Sequence, residues 1–321
     1  VPMTAMQKAN PRKWLVDGAP RLGDRQFVAT TIGCRVPRTE HRGHVGAVFE
    51  HACIVLLDGG GVVALLAPRV GQVAHGVRLA DEAPINRCVE VGMPVRLCGG
   101  DIVLGTDVAV TLSLAQVWTP PLRLGMCEWN KVTRDAMALA RNVLLDLAPA
   151  TCSEFLTVAL QIARPATALG ARVSGVLPRL ALAAGVGDAN GALLCLRELI
   201  GLGPGLTPAG DDFTIGWLAG LMLGAHSPVQ RKFLAAMCAG IEALSCTTTP
   251  ISRQHLADAC ALMFSERLSA VCVAIANGAA PSAFASSMAA QLNVGATSGA
   301  DAAAGLMFAL FDCGSGQRFA A

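Results

Sequence analysis

Residues 201–212 constrain the fold more than any other stretch of this sequence. They contain four glycines, two prolines, one threonine and two adjacent aspartates, and an apolar segment, residues 213–225, follows at once. Clustered glycine and proline mark a turn, and an apolar segment of this length beside a turn predicts a buried helix. We therefore predict a glycine-rich turn that leads into a buried central helix, whose first N–H groups are available to a ligand.

The composition indicates a folded protein with an apolar interior. Hydrophobic residues make up 53% of the 321 residues, charged residues make up 15%, and the net charge is only +2. These values argue against a disordered chain and against a nucleic-acid partner. Aromatic residues are scarce at 4% and tyrosine is absent, so the core must consist of alanine, leucine and valine, which favours closely packed helices.

The lengths of the apolar runs and the spacing of the cysteines indicate where in the cell the protein is expected. The longest apolar run, residues 215–225, is shorter than the ~20 residues that span a bilayer, so no membrane partner is expected. The high apolar content instead suggests subunit contacts, including a homo-oligomer. The 12 cysteines include no CxxC pair, and no signal peptide is recognisable, so we expect a cytoplasmic protein with buried thiols.

The hydrophobic pattern changes near Trp118-Thr119-Pro120-Pro121, a stiff break in the chain. Before it, apolar segments such as residues 53–57 and 62–66 flank glycine-rich turns, which is typical of strands. After it, the pattern is helical. We predict an α+β protein, with a β-rich domain over residues 1–120 that forms an antiparallel sheet or small barrel. A mainly α-helical domain with the buried central helix is predicted over residues 126–321.

Two further helix starts share features with the glycine-rich run. Residues 295–301 repeat it in outline, and the spacing of Ser298 and Asp301 is that of a capping box. Residues 247–252 again combine hydroxyl groups with a proline. Each group could simply cap its helix, which is worth about 1 kcal/mol, or the three starts could converge on one pocket. The candidate binding residues are Gly203, Gly205, Thr207, Thr248, Ser252, Thr297, Ser298, Gly299 and Asp301.

Adjacent carboxylates at Asp211 and Asp212 conflict with a simple anion site. Two like charges ~4 Å apart cost about 4 kcal/mol at an effective dielectric constant of ~20. A helix terminus returns roughly 0.3–1 kcal/mol, or about 2 kcal/mol in a buried site. Three solutions are open: a cation such as Mg²⁺ or Arg253 shares the site, one aspartate faces elsewhere, or the carboxylates accept from a ligand amide. A ligand with an anionic end and an amide end would use all these groups.

The histidines are weaker candidates for metal ligands or for catalytic residues. His41, His44 and His51 lie close together in the sequence, but no second set of ligands has metal-site spacing, which favours a solvated loop or a domain-interface role. His255 could act as a general acid or base, although a surface position is favoured. No Walker, Rossmann or GxSxG motif is present. No nucleophile–base pair is readable in the sequence, so covalent catalysis has little support.

Three segments together resemble the motifs of one bacterial family. Residues 201–212 resemble the signature of the family assigned to one subunit of oxamate carbamoyltransferase. Residues 248–252 are similar to its second motif, and residues 295–299 with Asp301 and Gly305 are similar to its third. The resemblance covers about residues 195–310 and is weak over the β-rich part. Residues 259–264 lack an expected glycine, and Asn293-Val294 replaces a segment that often carries a histidine.

This resemblance implies a carbamoyltransferase subunit that acts in purine and allantoin breakdown. The reaction interconverts oxamate and carbamoyl phosphate with oxalurate and phosphate, and other subunits of the complex are the implied protein partners. Asp211 and Asp212 are the implied catalytic residues, and the glycines and hydroxyls of the three motifs bind the substrate. No cofactor is required, although Mg²⁺ on the two aspartates is an option. The alternatives are a non-catalytic subunit that binds a small anion, and a metal-dependent hydrolase.

Overall fold

Two compact units, Val1–Trp118 and Thr119–Ala321, make up the chain. The computed structural model describes residues 25–81, 85–98, 100–128, 131–147 and 151–314. Strands build the first unit and α-helices build the second, which confirms the predicted α+β class.

The β unit contains the following strands in its described part. They are β1 (Arg25–Gly33), β2 (His41–Val48), β3 (Ala52–Leu57), β4 (Val62–Leu66), β5 (Gly76–Leu79), β6 (Pro94–Cys98), β7 (Asp101–Leu104), β8 (Val108–Thr111) and β9 (Gln116–Trp118).

These strands close into a small barrel. The order is β5-β4-β3-β2-β6-β7-β8-β1-β9, and β5 also pairs with β1, so that eight strands form a ring with β9 beside β1. Most neighbours are antiparallel, whereas β4–β5, β1–β8 and β1–β9 are parallel. The predicted hairpin is the β3–β4 pair, with Cys53 opposite Leu65. The barrel option of the prediction is confirmed, with a mixed rather than purely antiparallel sheet.

The helical unit contains the following helices in its described part. They are α1 (Lys131–Leu147), α2 (Glu154–Ala159), α3 (Ala168–Gly185), α4 (Ala189–Leu199), α5 (Ala209–Gly224), α6 (Pro228–Leu244), α7 (Pro250–Cys260), α8 (Glu266–Ala276), α9 (Pro281–Leu292) and α10 (Ser298–Gly314). None of the described helices combines the length and apolar character required to cross a membrane.

Helix α5 is the predicted buried central helix. All its residues are buried except Asp212 and Ile215, which are partly exposed. It packs against α10 at backbone distance, because glycines stand where the two helices meet. A Cβ atom on Gly216 would lie 1.8 Å from the Ala302 carbonyl oxygen, and one on Gly305 would lie 1.9 Å from the Phe213 carbonyl oxygen. Close packing of small residues therefore builds this core, as the low aromatic content predicts.

A methyl group at the α5–α10 contact should destabilise the helical unit. We expect Gly216→Ala and Gly305→Ala each to lower the free energy of unfolding by about 3 kcal/mol or more, because the backbones must separate. The matched control is Gly175→Ala in α3, where an added Cβ meets nothing within 4 Å. That change should stabilise the protein by roughly 0.5–1 kcal/mol. Urea unfolding measures all three, and equal midpoints for Gly216→Ala and Gly175→Ala would contradict the close-contact explanation.

Candidate functional site

The three predicted helix starts meet in one place. The Thr248 hydroxyl donates to Asp211 Oδ2 at 2.5 Å, and the Thr249 hydroxyl donates to the Leu206 carbonyl at 2.5 Å. The hydroxyls of Thr207 and Ser298 are hydrogen-bonded at 3.0 Å. These bonds connect the glycine-rich turn with the starts of α7 and α10. We call the residues at these three helix starts, together with Ser153, the helix-start cluster. Its members are Ser153, Leu206, Thr207, Asp211, Asp212, Thr248, Thr249, Ser298 and Asp301.

Glycines shape the turn before α5 for different reasons. Gly201, Gly203 and Gly205 have φ angles of 79°, 121° and 91°, a left-handed region that side chains rarely adopt. A Cβ on Gly203 would also lie 2.8 Å from the Ala209 nitrogen, whereas one on Gly205 would meet nothing within 4 Å. Gly210 has a steric role, since a Cβ there would lie 1.9 Å from the Leu199 carbonyl oxygen. The turn thus folds tightly onto α5 and leaves Gly205 exposed.

The N–H groups of Gly210 and Asp211, at the start of α5, are already hydrogen-bonded within the protein. Gly210 N–H donates to the Leu202 carbonyl at 2.9 Å, and Asp211 N–H donates to the Pro208 carbonyl at 2.9 Å. The prediction of N–H groups that are available to a ligand is therefore wrong for these two residues. The cause is the turn itself, which folds back so that one of its own carbonyls accepts from the helix start.

Asp211 connects two parts of the cluster through hydrogen bonds to its carboxylate. Its side chain is buried, and its Oδ1 accepts from Gly201 N–H at 2.8 Å while Oδ2 accepts from Thr248. Burial raises the pKa of this carboxyl, and the hydrogen bonds from Thr248, Gly201 and Ser252 act in the opposite direction. Because both oxygens are engaged within the protein, Asp211 joins the glycine-rich turn to the second motif rather than facing a ligand.

Asp212 and Asp301 form the charged part of the cluster. Burial, followed by the charges of Asp301 and Asp211, raises the pKa of Asp212 well above its ordinary value, while Ser298 lowers it. Burial likewise raises the pKa of Asp301 to about 6, against the opposing effect of the Ser153 and Thr297 hydroxyls. One enclosed oxygen of each, Asp212 Oδ2 and Asp301 Oδ2, has no hydrogen-bond partner among the described residues.

Arg253 does not offset these charges as one of the predicted solutions required. Its guanidinium donates to the carbonyls of Ser245 at 3.3 Å and Cys246 at 3.4 Å. It therefore supports the turn before α7 instead of binding the aspartates.

Ser153 belongs to the cluster, and sequence reasoning missed it. Its hydroxyl donates to Asp301 Oδ1 at 2.6 Å and accepts from Leu156 N–H at 2.9 Å, so it also caps α2. A serine before a helical segment signals an N-cap. Nothing in the sequence indicates the contact with Asp301, which lies 148 residues away.

The start of α10 differs from the predicted capping box. The helix begins at Ser298, so Thr297 occupies the capping position, and Asp301 N–H donates to the Thr297 carbonyl at 2.8 Å. The prediction that Ser298 caps the helix is wrong by one residue. Gly299 has a packing role, because a Cβ there would lie 1.9 Å from the Gln291 carbonyl oxygen. The freed Ser298 hydroxyl binds Thr207 instead.

The remaining candidates lie in different settings. Ser252 is buried on α7, where its hydroxyl interacts with the Asp211 carboxyl. His255 is partly buried on the same helix. His41 and His44 lie on β2, and His51 lies 3.6 Å from the Glu50 carboxylate.

Metal binding gains no support from the arrangement of these side chains. In the ranges that the structure describes, no group of three or more histidine, cysteine, aspartate or glutamate residues could hold a metal ion. This applies to the three histidines of the β unit, whereas Mg²⁺ on the two carboxylates of Asp211 and Asp212 stays a prediction.

The fold and site together define a class: a helical unit whose helix starts meet around buried aspartates. In the comparison with protein families, the family model described as oxamate carbamoyltransferase subunit AllH matches residues 199–310. That range contains all three motifs, so the match confirms the resemblance to this family. The β unit lies outside it. Comparisons with curated proteins and with solved structures give no significant match.

Removal of the Asp211 carboxylate should loosen the junction of the first two motifs. We expect Asp211→Ala to lower the free energy of unfolding by about 3 kcal/mol, because Gly201 N–H and the Thr248 hydroxyl lose their acceptor. Thr248→Val removes one of the two bonds and should cost about 1 kcal/mol. Urea unfolding of both variants and of the double variant measures their coupling. Purely additive effects would show that Asp211 does not act through Thr248.

Asp301 should make stability depend on pH. Its pKa rises from an ordinary 3.8 to about 6 on folding, so the folded state binds the proton more tightly. This contribution is complete below about pH 4 and is lost as the pH rises through about 6, a change of roughly 3 kcal/mol. Asp301→Asn should remove that decline. Urea unfolding across this range checks it, and parallel pH profiles for the two proteins would contradict the assignment.

Proposed function

We propose that this chain is a subunit of an oxamate carbamoyltransferase and binds a small anionic amide at the helix-start cluster. The reaction would interconvert oxamate and carbamoyl phosphate with oxalurate and phosphate. The observation that carries the proposal is the convergence of the three motifs, by hydrogen bonds, inside the segment that matches the family. Residues that are separated in sequence and meet at one polar cluster favour a shared ligand over independent capping.

The cluster contains hydroxyl and carboxyl groups that could contact a small anionic amide. Thr207 and Ser298 are partly exposed, and Gly205 is exposed beside them. The two hydroxyls bond each other, which leaves the hydrogen of one of them to donate to a ligand. An anion would be bound by these hydroxyl groups, and Asp212 would contact the same ligand beside them. Held in this way, carbamoyl phosphate or oxamate would be oriented for transfer, and catalysis would rest on positioning and on electrostatic stabilisation of the developing charge.

Within this proposal the two adjacent aspartates have different roles. Asp212 is the candidate for contact with the substrate, because one of its oxygens has no partner among the described residues. Asp211 acts indirectly, through the bonds that hold Gly201 and Thr248. This division corresponds to one of the solutions to the charge conflict, in which one aspartate faces away from the ligand.

A second candidate function is a non-catalytic subunit that supports the other chains of the complex. Exposed apolar side chains favour it, since Leu182, Val186 and Leu194 are 66%, 70% and 63% exposed on or beside α3 and α4. Such side chains are typical of surfaces that contact other proteins. In this case the helix-start cluster would have a structural role only.

Substitution of the hydroxyl donors should separate the two functions. We expect Thr207→Val and Ser298→Ala each to weaken binding of carbamoyl phosphate about tenfold, the loss of one hydrogen bond to a charged ligand. Calorimetry on the purified chain and on the reconstituted complex measures this effect. The matched control is Ser287→Ala on α9, whose hydroxyl bonds the Ala283 carbonyl and which should bind as the unchanged protein does.

Turnover of the reconstituted complex tests catalysis separately. Under the leading proposal, Asp212→Asn lowers turnover. If carbamoyl phosphate and oxamate bind the complex, and if neither binding nor turnover changes in Ser298→Ala and Asp212→Asn, the second candidate holds instead.

A further inference from the structure

Two carboxyl groups of the helix-start cluster, those of buried Asp301 and partly exposed Asp212, have an enclosed oxygen without a partner among the described residues. Asp301 is 1% exposed, and one of its oxygens accepts from Ser153 while the other has no partner among the described residues. Asp212 also has an enclosed oxygen without a partner in that part of the chain. An ionised carboxylate is strongly disfavoured when it is buried without donors or a counter-charge. Ionising both groups together would therefore be costly.

Nearby negative charges make the ionisation of both Asp212 and Asp301 still less favourable. Asp212 interacts with the charges of Asp301 and Asp211, both of the same sign. Among the described residues neither Asp212 nor Asp301 forms an ion pair, and Arg253 is directed to backbone carbonyls. Carboxyl groups that interact in this way lose their protons in separate steps, and the first ionisation suppresses the second.

We propose that Asp212 and Asp301 hold one proton between them at neutral pH, and that Asp212 uses it to donate a hydrogen bond to an oxygen of the bound anion. The proton resides on Asp212, because the Ser153 and Thr297 hydroxyls both favour the ionised form of Asp301. The Ser298 hydroxyl favours the ionised form of Asp212, but the charges of Asp301 and Asp211 oppose its ionisation. Asp212 then carries the O–H group. The proton itself follows from the geometry of the cluster, whereas the identity of the anion rests on the proposed function.

This protonation removes the conflict between the adjacent aspartates and an anionic ligand. A neutral Asp212 does not repel a carboxylate or a phosphate, and its O–H group becomes a further donor beside the hydroxyls of Thr207 and Ser298. The site therefore needs neither a metal ion nor an arginine to accept an anion. Binding should weaken as the pH rises, because loss of the shared proton turns a donor into a like charge.

The proton can be observed without any ligand. Carbon-13 NMR of the aspartate carboxyl carbons in the full chain follows ionisation from about pH 4 to about pH 9. We expect one carboxyl, identified by its loss in Asp212→Asn, to remain protonated at pH 7, and Asp301→Asn to lower its titration by about one pH unit or more. The matched control is Asp258→Asn, a buried aspartate of α7 that is bonded to Gln254, which should not alter the titration.

Two results would overturn the shared proton. One is a wild-type spectrum in which every aspartate is ionised at pH 7, which needs no variant to fold. The other is an Asp212 titration that is unchanged in Asp301→Asn.

Calorimetry with oxamate tests the donated hydrogen bond, since the oxamate carboxylate does not titrate near neutral pH. Wild-type affinity should fall about tenfold for each pH unit above the Asp212 titration. In Asp212→Asn the carboxamide donates at every pH, so we expect binding with little pH dependence. The same pH dependence in both proteins would contradict the role of Asp212.

The two measurements separate this inference from the proposed function. A retained proton with no binding of oxamate or carbamoyl phosphate would leave the shared proton in place and refute the proposed function. Oxamate binding by a protein whose aspartates are all ionised at pH 7 would do the reverse.

Discussion

The backbone contact between α5 and α10 is the interaction on which the candidate site depends. Gly216 and Gly305 allow the two helices to touch without intervening side chains. Since α5 begins with the adjacent aspartates and α10 begins beside Thr297, this contact places both helix starts within hydrogen-bond distance. A wider separation would keep both helices but would part Thr207 from Ser298 and Asp212 from Asp301. Small residues in the core are thus a requirement of the site as well as of packing.

Some polar groups of the cluster have all their hydrogen bonds within the protein, and others have an atom without a partner among the described residues. Asp211 uses both oxygens within the protein, and Ser153 uses its hydroxyl as both donor and acceptor. Asp212 Oδ2 and Asp301 Oδ2 are enclosed and have no hydrogen-bond partner among the described residues. Enclosed polar atoms without partners lower stability, and they are the groups that the proposed ligand would contact. Adjacent aspartates, equal in sequence, therefore have unequal roles.

Sequence patterns predicted much of the architecture, but the details of contact were beyond them. The β3–β4 hairpin and the buried helix after residue 212 follow from local periodicity and turn residues, which act over a few positions. The parallel pairing of β1 with β8 joins Arg25 to Val108, and no local signal reports such a contact. The start of α10 was misplaced by one residue because Ser298 is a good cap in isolation, whereas Thr207 binds its hydroxyl in the folded protein.

By itself, the sequence determined the α+β class, the glycine-rich turn and the three motifs that resemble one family, because turn chemistry and hydrophobic periodicity are local properties. Only the tertiary structure decided that the motifs meet, that Asp211 faces inward, and that Ser153 joins Asp301. Those outcomes depend on which helices pack together and how closely, and the α5–α10 contact sets that distance. The ionisation of Asp212 also depends on the tertiary structure, since burial and neighbouring charges raise its pKa.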